Sequence, residues 1–298
     1  MKKETVGILY VLIAGILWGT MGVFVNFFDS EGLTSVDIAG IRLICSAVIM
    51  AVYILIKNPK LFVIKVRDVW CFLGSGLVSL MIFTVCYFKT IVLSSMSVAA
   101  VLLYTSPVFV ILLSFIFFKE KITKIKALSC IICVAGCAFV TGIIVSNTSI
   151  PLNAFLLGVS SGIAYALYSI FSRFALQKGY SSLTITTYTF IFATIGLIPL
   201  TDFPAIGKIM LQKPELGVIM AITGLITAVL PYIFYTSGLE RLESGKAAVI
   251  AAIEPVVATI IGGIFFKDNL SPLQYFGIIL VIFSIVLTNK KINKSKEK

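Results

Sequence analysis

Apolar residues run in blocks of about 20 along this 298-residue chain, separated by short clusters of charged, Gly, Pro and Asn positions. A helix needs roughly that many residues, rising about 1.5 Å each, to cross about 30 Å of hydrocarbon. Ten such blocks can be drawn, at approximately 7–28, 36–56, 69–92, 97–118, 125–145, 153–175, 183–200, 217–239, 245–266 and 272–289. They predict an all-α integral membrane protein with ten transmembrane helices. The longest connection, 201–216, reads as a surface loop with a short interfacial helix. Met1-Lys2-Lys3 ahead of the first block resembles a signal peptide. That block outruns a typical signal core, however, and nine more follow it, so it is taken as the retained first helix.

The blocks repeat. A shift of 148 lays residues 97–120, SVAAVLLYTSPVFVILLSFIFFKE, over 245–268, GKAAVIAAIEPVVATIIGGIFFKD. Nine of those 24 pairs are identical, among them Pro107 with Pro255 and Phe117-Phe118-Lys119 with Phe265-Phe266-Lys267. At a shift of 147, Ala14-Gly15-Ile16-Leu17-Trp18 likewise meets Ser161-Gly162-Ile163-Ala164-Tyr165. Two repeats are expected, 1–146 and 147–298. Each holds five blocks, an odd number, so the second is inverted relative to the first, the usual construction of a carrier with two nearly equivalent states.

Composition agrees with a membrane protein: 59% hydrophobic, 12% charged, mean hydropathy +1.09. The net charge of +11 is too thinly spread to make a nucleic-acid surface. With the N-terminus placed in the cytoplasm, 19 of the 24 basic residues fall on the inner side and three on the outer. By the positive-inside rule this predicts a multi-pass protein of the cell membrane with both termini cytoplasmic. The inner charges also meet anionic lipid.

There is no histidine, which removes His-type zinc sites and Ser-His or Cys-His nucleophile activation. No phosphate-binding loop is present either. An enzyme, a metal site and a bound cofactor are therefore not expected. Gly158-Val159-Ser160-Ser161-Gly162 fits the hydrolase G-x-S-x-G string but lacks a strand-turn-helix setting. Cys130, Cys133 and Cys137 share one helix face and read as buried packing. Asn147-Thr148-Ser149 matches a glycosylation sequon, relevant only in a eukaryotic secretory route.

Several short motifs lie in order across both halves: Trp18-Gly19 in the first helix, Arg42 in the second, Ser106-Pro107 running to Phe117-Phe118-Lys119-Glu120 in the fourth, and Glu254-Pro255 running to Phe265-Phe266-Lys267-Asp268 in the ninth. Together they resemble the EamA family of the drug/metabolite transporter superfamily, over essentially the whole chain. The resemblance implies a ten-helix carrier whose central cavity is lined by helices 1–4 and 6–9, with helices 5 and 10 outside. It implies transport of a small metabolite, mostly export of amino acids, related compounds or toxic compounds, with import by some members. No fixed substrate comes with these motifs.

The residues supply the candidates. Glu254 lies near the bilayer midplane, where a carboxylate is costly unless it faces partners or water. It either exchanges protons or holds a substrate amine, or it bonds backbone groups freed at Pro255. Arg42 either binds a substrate carboxylate, pairs with Glu254, or holds Asp37 or a helix end. Lys89 either snorkels to the outer interface or serves the outer gate. Trp18, Tyr87, Tyr104, Tyr165, Tyr168, Tyr232 and Tyr235 divide between cavity lining and packing. Pro107, Pro231 and Pro255 interrupt helices that line the cavity and change tilt. Gly15/Gly19 and Gly158/Gly162 form GxxxG pairs for close packing. The expected mechanism is alternating access driven by a gradient, with protons as the expected coupling ion. The alternatives are an importer or exchanger of the same fold and, outside carriers, a membrane-embedded enzyme or a passive channel.

Overall fold

A computed structural model describes residues 3–144, 150–267 and 269–290. The sequon at 147–149, the repeat boundary at 146/147 and Asp268 lie outside them. The described residues form α1 (Lys3–Ser30), α2 (Ser35–Lys57), α3 (Val66–Leu93), α4 (Met96–Phe118), α5 (Lys124–Val140), α6 (Leu152–Gln177), α7 (Ser182–Leu200), α8 (Glu215–Leu239), α9 (Ser244–Phe265) and α10 (Pro272–Thr288). Eight of these, all but α5 and α10, are long and apolar enough to cross a membrane. The two exceptions have 17 residues each, about 26 Å of helix. The fifth block was drawn to 145, but its helix stops at Val140, ahead of a turn in which Gly142 takes φ 74°. The connection after α7 carries a short helix, Phe203–Gln212, capped by the Asp202 side chain.

The core is mostly apolar, but the outer surface is apolar too, unlike that of a water-soluble protein. Large apolar side chains such as Ile131, Ile279 and Val218 stand on the outside, while hydroxyls such as Ser46, Thr84 and Thr227 are fully or almost fully buried. Buried hydroxyls need acceptors, and many return to the carbonyl one turn back: Thr84 donates to Leu80 O (2.7 Å) and Thr227 to Thr223 O (2.7 Å).

The two halves share the same local irregularities at nearly constant spacing. A π-helical stretch occurs in α3 at Gly74–Met81 and in α8 at Leu225–Val229. α4 breaks after Leu103 and α9 after Ala251, each resuming with a proline, Pro107 or Pro255, in its first turn. There proline costs no intrahelical hydrogen bond and its fixed φ suits a helix start. Pro231 likewise opens the segment after the second π stretch. Lys119 and Lys267, 148 residues apart, are the non-glycine residues with positive φ among those described, both at 57°.

The glycine pairs sit against these breaks. A Cβ on Gly19 would fall 2.6 Å from Val257 Cβ and 2.9 Å from the Glu254 carbonyl; one on Gly162 would fall 2.9 Å from the Leu102 carbonyl. Both GxxxG pairs therefore let a helix lie on the exposed backbone of its broken neighbour. The G-x-S-x-G string lies within α6, where Ser161 donates to Gly158 O (2.6 Å). α5 and α10 pack chiefly on each other, antiparallel, with Gln274 Nε2 donating to Val140 O (3.2 Å).

Candidate functional site

Helices α1–α4, α6, α8 and α9 line a cavity of about 540 Å³. Against the expectation of eight lining helices with the fifth and tenth outside, α7 contributes no lining residue, while Thr141 just past α5 and Gln274 of α10 reach it. Its lining reaches Asn26 near the end of α1, Ser35 at the start of α2, Ile91 near the end of α3, Met96 at the start of α4 and Gln274 at the start of α10. All these positions lie at the end of the bundle opposite Lys3, so the cavity has its mouth there. Nothing near the other ends of the helices belongs to the lining.

At its deep end the cavity meets a floor of aromatic rings. Trp18 packs on Tyr232 at a centroid distance of 5.2 Å and on Tyr165 at 6.2 Å, and Phe83 packs on Tyr165 at 5.5 Å. Beneath them lies a void of only about 10 Å³, where Tyr168 and Tyr235 meet Trp18. Their hydroxyls are taken up by Thr236 (2.6 Å) and Ser169 (2.7 Å). Tyr168 and Tyr235 thus support the floor from below, whereas Trp18, Tyr87, Tyr104, Tyr165 and Tyr232 line the cavity itself.

Arg42 and Glu254 are the charged residues of the lining. Glu254 projects from the first turn of the second α9 segment, Ile253–Phe265, where the positive end of the helix dipole favours a carboxylate. Tyr104 lies beside it, and the field of Arg42 reaches it. Among the described hydrogen bonds none joins Glu254 to backbone. Arg42, 8% exposed, approaches Met21 Sδ (3.2 Å) and the Thr227 carbonyl (3.4 Å) in the π stretch of α8 through Nη1, and its Nε is buried without a partner. Arg42 and Glu254 form no ion pair within 4.0 Å among the described residues, and both line the cavity. Asp37 does not engage Arg42; it accepts from the Asp202 amide (2.9 Å) and the Thr34 hydroxyl (2.5 Å).

Three candidates lie elsewhere. Lys89 is exposed near the mouth end of α3 and outside the lining. Of the prolines, only Pro255 touches the cavity; Pro107 and Pro231 are buried in packing. Phe83 and Asn26 line the cavity without having been singled out from sequence. A Phe within an apolar run carries no distinguishing pattern, and Asn26, two residues from the end of the first predicted block, reads as an ordinary polar residue at a helix end.

At the opposite end of the bundle, below the aromatic floor, lies a polar cluster gathered around Glu120, Lys126, Arg173 and Glu243. In the sequence, the basic members contribute only to the count of inner charges. Two of their pairings, Arg173 with Glu120 and Lys126 with Glu243, join residues 53 and 117 apart, which no local pattern reports.

The sequence pattern of the EamA-like transporter family matches residues 5–142 and again 152–290. The chain is 26% identical over 292 residues to the uncharacterized transporter YxxF of Bacillus subtilis, covering 96% of this chain and 90% of that protein. It is 27% identical over 294 residues to an uncharacterized transporter of Archaeoglobus fulgidus, covering 98% and 100%. A solved crystal structure superposes with a TM-score of 0.76 over 95% of this chain and 96% of its own, at 14% identity, and so shares the fold. Two matches that together span nearly the whole chain, on a bundle of apolar helices around one cavity, place the chain in the EamA-like transporter family of membrane transporters.

Proposed function

We propose that this protein is a secondary carrier that exports a small metabolite, such as an amino acid or related compound, by alternating access. The observation that carries the reading is the cavity: it is open at one end and shut at the other, with one guanidinium and one carboxylate among aromatic rings. A zwitterion of amino-acid size fits that chemistry, its carboxylate on Arg42, its amine on Glu254 and its side chain against Trp18, Phe83 and Tyr165. Proton coupling is assigned to Glu254, since the chain has no histidine to share that task. In this reading all ten helices cross the cell membrane, as inverted repeats 1–146 and 147–298, with both termini cytoplasmic and the mouth facing outward. Export is preferred over import on the family's general character.

Thermal unfolding of the purified protein tests the ligand chemistry with a panel of free amino acids, their decarboxylated amines and their N-acetyl derivatives. A ligand held only by the folded state at 100 times its Kd stabilises it by about 2.7 kcal/mol. Free amino acids are expected to raise the unfolding temperature more than either derivative, and Trp18→Ala to remove the rise. Equal shifts for all three classes, or a rise that survives in Trp18→Ala, contradicts the assignment.

A further inference from the structure

We propose that the Glu120 cluster is the gate of the shut end: a latch between the two halves that holds the cavity open only at its mouth. α4 ends in a left-handed turn at Lys119, with the Glu120 amide bonding back to Ser114 O (3.3 Å). That turn sends Glu120 under the bundle toward the start of α9. The residue preceding α9, Glu243, makes no side-chain cap bond. The cap comes instead from the other half, because Glu120 Oε1 accepts the backbone N–H of Ser244 at 2.9 Å. A carboxylate there is favoured by the helix dipole and by the charge-assisted bond.

The surrounding groups reinforce the crossing. Arg173, at the end of α6, reaches Glu120 Oε1 (3.6 Å), donates from Nε to Ser244 Oγ (3.1 Å) and donates to the Leu242 carbonyl. Lys126 of α5 pairs with Glu243 (2.8 Å) and stands 3.9 Å from Glu120 Oε2, an ion pair without a hydrogen bond. Lys246 of α9 pairs with Glu4 of α1 (2.7 Å). Glu4, Glu120 and Lys126 belong to the first half; Arg173, Leu242, Glu243, Ser244 and Lys246 belong to the second. The side chains of Glu120, Lys126 and Arg173 are 11%, 8% and 16% exposed, so the latch is packed rather than loosely paired in solvent. Such pairs hold firmly while complete and are costly to leave half-broken, the behaviour a two-position gate requires.

The repeat supplies the comparison. Ser244 lies 148 residues after Met96, Lys126 lies 148 before Gln274, and Arg173 lies 147 after Asn26. Met96, Gln274 and Asn26 line the open mouth, while their counterparts are locked together at the shut end. Corresponding positions thus face the cavity at one end of the bundle and are joined to one another's segments at the other. α9 starts in the latch and carries Glu254 ten residues later, so freeing its start releases the helix that bears the candidate coupling carboxylate.

Hydrogen–deuterium exchange on the full chain in lipid nanodiscs, with no substrate present, tests the latch through Glu120→Gln. We expect exchange about tenfold faster in segments 244–251 and 166–173 and slower exchange at the mouth, in 96–103, as the population moves toward the state open at the latch end. Should Glu120→Gln fail to fold, Glu243→Gln, whose side chain is 58% exposed, removes one partner of Lys126 and is expected to shift both ends in the same directions by less. Unchanged exchange overturns the proposal, and so does faster exchange at both ends, which is plain loss of stability. The latch rests on the alternating-access reading, and the two fail separately. Counterflow without the opposed exchange shifts rejects the latch alone, and opposed shifts without counterflow reject the carrier alone.

Discussion

Glu254→Gln is expected to leave a folded protein that no longer accumulates substrate in response to a pH gradient, with uptake falling to the level of empty liposomes. Glutamine keeps the size of the side chain and a hydrogen-bonding oxygen near Tyr104, so the break in α9 and its packing on Gly19 have no reason to move. What is lost is the ability to bind and release a proton. Exchange of labelled for unlabelled substrate needs no net proton movement and is expected to persist, with affinity for amine-bearing substrates weakened. A charge-assisted hydrogen bond is worth about 1.5–3 kcal/mol, which is roughly 10- to 100-fold in affinity. Uptake measured with and without an imposed pH gradient separates the two effects. Proton-driven uptake that survives in Glu254→Gln removes this residue from coupling.

Arg42→Gln is expected to weaken substrates carrying a carboxylate by roughly the same 10- to 100-fold, because the guanidinium is the cation of the cavity lining and its Nε lacks a partner. The decarboxylated amine of the same substrate should bind Arg42→Gln and the unaltered protein equally well. Arg42→Lys is expected not to restore affinity, since an ammonium cannot reproduce the planar fork of donors. A purely structural role, through the Thr227 carbonyl and Met21, would lower the unfolding temperature and weaken both ligands alike. Comparing the two ligands in both proteins decides between these roles.

Much of the architecture is legible in the sequence because its causes are local or periodic. Blocks of apolar residues fix where helices run, and Gly, Pro and charge fix where they stop. Pro107 and Pro255 mark the breaks of α4 and α9 because proline is cheapest where a helix begins. The π stretches of α3 and α8 leave no mark, since they alter hydrogen-bond register without altering composition. Arg42 and Glu254 stand out by cost, being charges deep in apolar runs. Lys89 sits in a similar run yet points away from the cavity, because depth along a helix says nothing about which face a residue occupies. Tyr165 and Tyr168 illustrate the same limit: three residues apart on α6, one lines the cavity and the other supports its floor. The Glu120 cluster was hidden for a different reason. Its members look like ordinary charges beside helix ends until the fold brings four separate segments to one place.

Counterflow in liposomes containing the purified protein tests the carrier reading most directly. Vesicles loaded with a high concentration of an unlabelled substrate identified by thermal shift are diluted into a trace of the same compound carrying a label. A carrier with one cavity that opens alternately takes up the label transiently against its own gradient, and Glu254→Gln retains that exchange. A steady conductance with no transient overshoot, or chemical conversion of the labelled compound, would contradict the account.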